Sequence, residues 1–263
     1  MNQDKSARYH QLKRRASVLS VLWTALVLVL VPASGLHLQV RDLALSWPLP
    51  VQVGLMLVVL GILDQLAGVP LAFYSGFVLE HRYDLSTQKI AGWVVDHLKA
   101  AALGFTLAAP GLSLLYAIIA RWPEWWWAIG AAGASLVMLL LVNLGPVLIL
   151  PLFFTLKPLS RQDLRDRLIA LAERAGARVV GVFEWTLGDR TKKANAALTG
   201  IANTRRILLA DTLLADYSDD EIEVVLAHEL AHHVHHDLWK GMAIETGVLF
   251  AGFFAADWLL RWW

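Results

Sequence analysis

The sequence predicts a mainly α membrane protein, a multi-span helical bundle that carries one small α+β unit. Three observations lead there. The chain of 263 residues is 57% hydrophobic with a mean hydropathy of +0.53, too apolar for an ordinary soluble domain. Five apolar runs approach or exceed the ~20 residues that cross a hydrocarbon core. Between the fourth and fifth runs the composition turns polar from Ser160, and that stretch contains His-Glu-Leu-Ala-His at residues 228–232.

The first run, residues 18–36, follows a basic head of Lys5, Arg8, Lys13, Arg14 and Arg15. A secretory signal has the same order, but the length of this run and the spans after it argue for a retained membrane helix. Runs at residues 51–77, 100–120 and 125–152 come next, and the fifth covers residues 241–260. Pro32, Pro70, Pro110 and Pro146 lie in or near them, which membrane helices tolerate as kinks. Trp122, Trp125, Trp126 and Trp127, with Trp258, Trp262 and Trp263, read as interfacial belts, plain packing being the alternative. Asp64, inside the second run, either faces a water-filled cavity or is a neutral, hydrogen-bonded structural residue near a kink.

Lys and Arg alternate between the connections. The head carries five, the first connection only Arg41, the second Arg82, Lys89 and Lys99, and the third only Arg121. This places the head and the second connection in the cytoplasm and returns the chain there near Lys157. The expected organisation is a four-span membrane domain at 1–156, a cytoplasmic unit at 157–240 and a fifth span at 241–263.

Within the polar stretch, Ser160-Arg161-Gln162-Asp163 is expected to cap a helix that runs to about Ala175, with Leu164, Leu168, Leu171 and Ala172 as its buried stripe and Gly176 as its stop. Residues 179–185 and 206–210 read as strands, residues 195–201 as a third strand or extended edge, and Asn203-Thr204 as the turn between the last two. Ser218-Asp219-Asp220-Glu221 reads as a capping box opening a helix whose apolar positions are Ile222, Val225, Leu226 and Leu230.

On that helix His228 and His232 lie only about 40° apart around the axis, so both can bind one tetrahedral Zn2+. Glu229 beside them can take a proton from an attacking water and pass it to a leaving amine. H-E-x-x-H arises by chance in unrelated chains, but a capped amphipathic helix is the setting this chemistry needs, and the unit is zincin-like. With no cysteine in the chain, His and carboxylate are the available ligands. No third ligand follows from helix geometry. His235 lies about 10 Å along the axis from His228, Asp237 points about 140° away from His232, and Glu245 would stand about 20 Å along an unbroken helix. His233, His235 and His236 are then either an interfacial cluster or one that supports the metal-binding imidazoles from behind.

Separate stretches carry a likeness to one family: the aromatic-rich residues 73–88, residues 145–158 with Pro-Leu-Phe at 151–153, residues 190–200, residues 206–214, and the H-E-x-x-H helix. Together they resemble the integral-membrane M48 metalloproteases of the Ste24 type, the CAAX prenyl proteases and their bacterial relatives. The resemblance implies that Asn195 and Ala196 lie on an edge strand and hold an extended peptide by main-chain pairing, where Asn195 taken alone would read as a turn residue. It also implies a third zinc ligand, a Glu on a later helix, expected beyond Trp263; the 263 residues by themselves are then expected to bind zinc weakly.

The function expected is an integral-membrane zinc metalloendopeptidase with Glu229 as general base. Its substrate would be a peptide or protein, prenylated or membrane-associated, and its partner surface the lipid bilayer. It would reside in a bacterial inner membrane, or in the endoplasmic reticulum of a eukaryote, with the catalytic unit on the cytoplasmic side. The alternative is a truncated or degenerate homologue without proteolysis, acting as a membrane binding or scaffold protein. A net charge of +1 and the lack of a basic block with interleaved aromatics exclude nucleic acid as a partner. A transporter built on Asp64 would leave the capped helix unexplained.

Overall fold

A computed structural model describes residues 2–201 and 204–262, with side chains from Lys5 onward. The chain packs as two compact units, Met1–Ala117 and Ile118–Trp263.

In the first unit, α1 (Asn2–Ala33) carries the basic head and the first apolar run on one helix, and Gly35, in the left-handed region at φ 72°, turns the chain into the short α2 (Leu36–Leu43). Then α3 (Leu49–Phe73) continues through a π turn, Tyr74–Val78, into α4 (Leu79–Arg82), and α5 (Ile90–Arg121) follows. Polar side chains fasten α1 to α3 and α4. Thr24 donates to Asp64 Oδ1 at 2.6 Å and Trp23 Nε1 donates to the Asp64 carbonyl at 3.0 Å. Tyr9 and Lys13 donate to Glu80 Oε1 at 2.5 and 2.9 Å, with Glu80 only 8% exposed. These are the contacts that the structural reading of Asp64 expects, because a carboxyl group without a hydrogen-bond partner inside an apolar span is costly.

In the second unit, α6 (Trp126–Leu144), a π turn (Gly145–Ile149) and α7 (Leu150–Phe153) form one span, with Pro146 in the π turn. After it come β1 (Leu156–Pro158), α8 (Gln162–Arg174), β2 (Val182–Trp185), β3 (Ala196–Thr199), β4 (Arg206–Ala210), α9 (Asp211–Asp216), α10 (Asp219–Val234) and α11 (Asp237–Trp262). Five helical stretches are long and apolar enough to cross a membrane: Lys5–Ala33, Leu49–Arg82, Ile90–Arg121, Trp126–Phe153 and Asp237–Trp262. They are the five expected runs: the first reaches back to Lys5 and stops at Ala33, the second, third and fifth extend at both ends, and the fourth is shifted by one residue. Trp126 donates from Nε1 to Asp257 Oδ1 at 2.7 Å and Arg261 Nε donates to Oδ2 at 2.7 Å, so α6 and α11 are locked antiparallel near the start of one and the end of the other. Trp126 is thus a buried packing residue, while Trp122, Trp125, Trp258 and Trp262 stay exposed as a belt requires.

The sheet has the order β1-β2-β4-β3, with β2 and β4 parallel and both edge strands antiparallel to their neighbours. Its core joins Leu164, Leu168 and Ala172 of α8 to Ile207 and Leu209 of β4 and to Ile222, Leu226 and Leu230 of α10. Those α10 positions recur every four residues, so one face of the helix is buried and the opposite face is left for chemistry. The third strand is shorter than expected, and Asn203 of the expected turn lies outside the described residues. One local expectation is corrected. The N-cap of α8 is Arg161, and no side chain caps that end; Arg161 instead pairs with Asp219 of α10. Gly176, at φ 72°, does stop the helix.

Candidate active site

α10 begins as its sequence requires. Ser218 Oγ accepts the Glu221 N–H at 3.4 Å, and Glu221 Oε2 accepts the Ser218 N–H at 2.9 Å, closing the capping box. The Ser218 backbone, and then its hydroxyl, hold the Glu221 carboxyl below the usual carboxylate range. Arg167 of α8 adds ion pairs to Asp220 and Glu223 at 2.6 and 2.5 Å. The helix is thereby fixed over the sheet.

Two turns further on, His228 and His232 share the face opposite the core, both exposed, with ring centroids 5.0 Å apart and nearly perpendicular. The helix ends at Val234. His236, a non-glycine residue in the left-handed region at φ 57°, reverses the chain before α11 starts. That reversal corrects the expectation that Asp237 points away: Asp237 Oδ2 lies 2.9 Å from His232 Nδ1. A carboxylate there accepts a hydrogen bond from Nδ1–H and so leaves the Nε2 lone pair free, the arrangement in which a carboxylate orients a metal-binding imidazole. Lys240 Nζ, 3.4 Å from the other Asp237 oxygen, holds the carboxylate from behind. The break falls at His235 and His236, so Glu245 lies inside α11, and among the described residues it forms no metal-holding group with the imidazoles.

Glu229 is half-buried. It lines a cavity of about 120 Å³ together with Leu198, Gly200, Arg205, His232 and His233 among others. Burial first, and the nearby Arg205 charge second, hold the His233 imidazole below its ordinary range. Beside the cavity β3 is a sheet edge. The Ala210 N–H donates to the Asn195 carbonyl at 2.9 Å, so the Asn195 backbone turns inward to β4. By the alternation of an antiparallel ladder, the N–H and C=O of Ala196 and Leu198 turn to the open edge. The Asn195 side chain is exposed, while that of Ala196 is buried in the core.

Residues that sequence reasoning passed over complete the setting. Asp211 Oδ1 accepts the N–H groups of Leu187, Gly188 and Thr212, each at 2.9 Å, and so folds the loop that delivers Asn195. Thr204 donates to Asn143 Oδ1 at 2.6 Å and ties the far end of the hairpin to α6. Arg205 was legible only as the residue before a strand. The donor chemistry suits zinc as far as it goes: two exposed imidazoles on one face, one oriented by a carboxylate. Among the described residues no group of three or more His, Cys, Asp or Glu could hold a metal ion.

Comparison with known proteins places the chain. A family model described as "CAAX prenyl protease N-terminal, five membrane helices" matches residues 2–155, and the peptidase family M48 model matches residues 158–262. The chain belongs to peptidase family M48. Within it, this M48 chain is 30% identical over 203 residues to the uncharacterized metalloprotease YhfN of Bacillus subtilis, covering 77% of this chain and 47% of that protein. It is 32% identical over 191 residues to CAAX prenyl protease 1 of Saccharomyces cerevisiae, covering 72% and 41% respectively. The M48 chain therefore spans less than half the length of these relatives. The crystal structure of S. mikatae Ste24p matches with a TM-score of 0.82 at 26% identity, covering 96% of this chain and 61% of that one. The M48 chain is an integral membrane protein with the Ste24 fold.

Proposed function

We propose that this chain carries the peptide-hydrolysing centre of a zinc metalloendopeptidase, in a unit at 157–240 held at the cytoplasmic face between the four spans before it and the fifth after it. The observation that carries the reading is Glu229, half-buried in a cavity that it shares with His232 beside the open edge of β3. His228 and His232 would hold zinc through their Nε2 atoms, with a third donor from outside the described residues. Zinc, when bound, supplies polarisation of the scissile carbonyl and acidifies the attacking water. Glu229 takes a proton from that water and returns it to the leaving nitrogen as the C–N bond breaks. Ala196 and Leu198 pair with an extended peptide through their outward N–H and C=O groups, and the exposed Asn195 side chain flanks its path. Substrates anchored in the same bilayer, prenylated proteins among them as the CAAX prenyl protease relatives suggest, suit a centre that leads directly into a membrane span.

A non-proteolytic scaffold is the second reading, favoured by the lack, among the described residues, of a third His, Asp or Glu placed to hold a metal ion with the pair. The two are separated by Glu229→Gln. The proposal expects peptide cleavage to fall by at least about a hundredfold, the low end of general-base effects, with zinc content nearly unchanged. His228→Ala should lose both. A Glu229→Gln protein that cuts at the normal rate removes this residue from the chemistry.

A further inference from the structure

We propose that the pocket between the start of α1 and the end of α4 binds the headgroup of an anionic phospholipid. This goes beyond the peptidase reading and does not depend on it. Lys5 and Arg8 of α1, Arg82 of α4, and Tyr83 and Asp84 after it line a pocket of about 370 Å³. Lys5 and Arg8, three residues apart, share one face of their helix. Arg82 is brought to them by the way α4 ends. Asp84 takes the left-handed region at φ 58°, the Leu85 N–H donates to the Glu80 carbonyl at 2.8 Å, and the Asp84 N–H donates to the His81 carbonyl at 3.0 Å. This paired closure, a Schellman motif, fixes Arg82 in the last turn and Tyr83 at the cap. Tyr9 and Lys13 hold Glu80 behind the pocket, and the Tyr9 ring meets Tyr83 edge-on with centroids 5.2 Å apart. The wall is thereby anchored, and the buried acid Glu80 is engaged by Tyr9 and Lys13 instead of by the pocket's cations.

Three cations against Asp84 leave the pocket net positive, and the head around it sets five Lys and Arg against Asp4 alone. The helix dipoles do not decide the sign, because α1 offers its positive end and α4 its negative one. Position then selects the ligand. Two membrane spans meet at the pocket: one begins at Lys5 and the other closes at Arg82. Arg82 stands about 8 Å of helix rise beyond the apolar run that ends at Phe77, which is the depth of lipid headgroups. All three cations are exposed there and make no ion pair among the described residues, so a group from the bilayer can reach them. A phosphodiester suits this set. The Arg fork takes two of its oxygens at once and Lys adds a point charge. A zwitterionic choline headgroup would bring a cation of its own among three others.

The test counts lipid on the full chain. The protein in an uncharged detergent is equilibrated with phosphatidylglycerol or with phosphatidylcholine, and native mass spectrometry gives the dissociation constant of the first lipid bound. Phosphatidylglycerol should bind at least about tenfold tighter, since each cation at an anionic headgroup layer is worth about fivefold. Arg8→Gln combined with Arg82→Gln should reduce that preference to about twofold or less. Arg14→Gln combined with Arg15→Gln removes two charges from the same head outside the pocket and should leave the preference unchanged. Equal binding of the two lipids, or an unchanged preference in the first double variant, overturns the proposal. An equal loss in both double variants overturns it too, because the attraction would then belong to the head as a whole. Displacement of bound phosphatidylglycerol by equimolar inorganic phosphate would make free phosphate the ligand and overturn the lipid assignment.

Discussion

One carboxylate decides which nitrogen of His232 can work. With Nδ1 2.9 Å from Asp237, the imidazole presents Nε2 in a fixed direction, and the helix axis carries that direction toward His228. Asp237→Asn should therefore weaken zinc binding by about 10- to 100-fold, the range for losing a partner of this kind, with Asp237→Glu less affected. Competition against a chelating fluorophore measures it, and an affinity indistinguishable from that of the unaltered chain would mean that the contact orients nothing. At this scale the sequence was informative where spacing alone carries the information. That His228, Glu229 and His232 share one helical turn follows from three positions in five. The place of Asp237 does not, because it depends on His236 adopting φ 57°, a left-handed conformation that no periodicity announces in a non-glycine residue. Arg205 was equally silent: nothing in two adjacent arginines tells which one will stack on an aromatic ring and which will line a cavity.

At the level of the element, α10 is set by its first turn. Ser218→Ala removes the hydroxyl that accepts the Glu221 N–H and should cost about 1 kcal/mol. Its partner makes the cap sensitive to acid. Because the Glu221 carboxyl is held below its ordinary value in the folded chain, its contribution is complete above the unfolded carboxylate pKa of about 4.3 and is lost as the pH falls through the lower folded value. Thermal unfolding followed by far-ultraviolet ellipticity between pH 6 and 3 should show that loss, and Glu221→Gln should flatten it; a profile identical in the two proteins would remove the cap from the account. This helix, α8 and the β4 strand were readable because each couples a start signal or a stop signal to a periodic apolar face. The strand β1 and the helices α2 and α9 were not. Each is at most eight residues long, and β1 ends on Pro158, which cannot donate a hydrogen bond to a sheet and so leaves no alternating pattern.

For the whole chain, the alternation of Lys and Arg predicts that the N-terminus and the second connection share one side of the membrane with the polar unit. The lack of cysteine makes the test clean: single cysteines near Arg41 and near Lys89 should be labelled from opposite faces, the former from outside. Outside labelling near Lys89 would invert the topology. The contact of Trp126 and Arg261 with the buried Asp257 reaches further than the two helices it joins. With α6 and α11 held antiparallel, Phe153 and Asp237 emerge at the same end of the pair, so about 80 residues that hold the sheet and the histidines are strung between two fixed posts. Closing a free loop of that length costs on the order of 4 kcal/mol of chain entropy. The clasp at the opposite end of the spans therefore acts on the polar unit as a cross-link would. A slackened Asp257 would be felt first as a looser sheet, about 50 to 100 residues away in the chain.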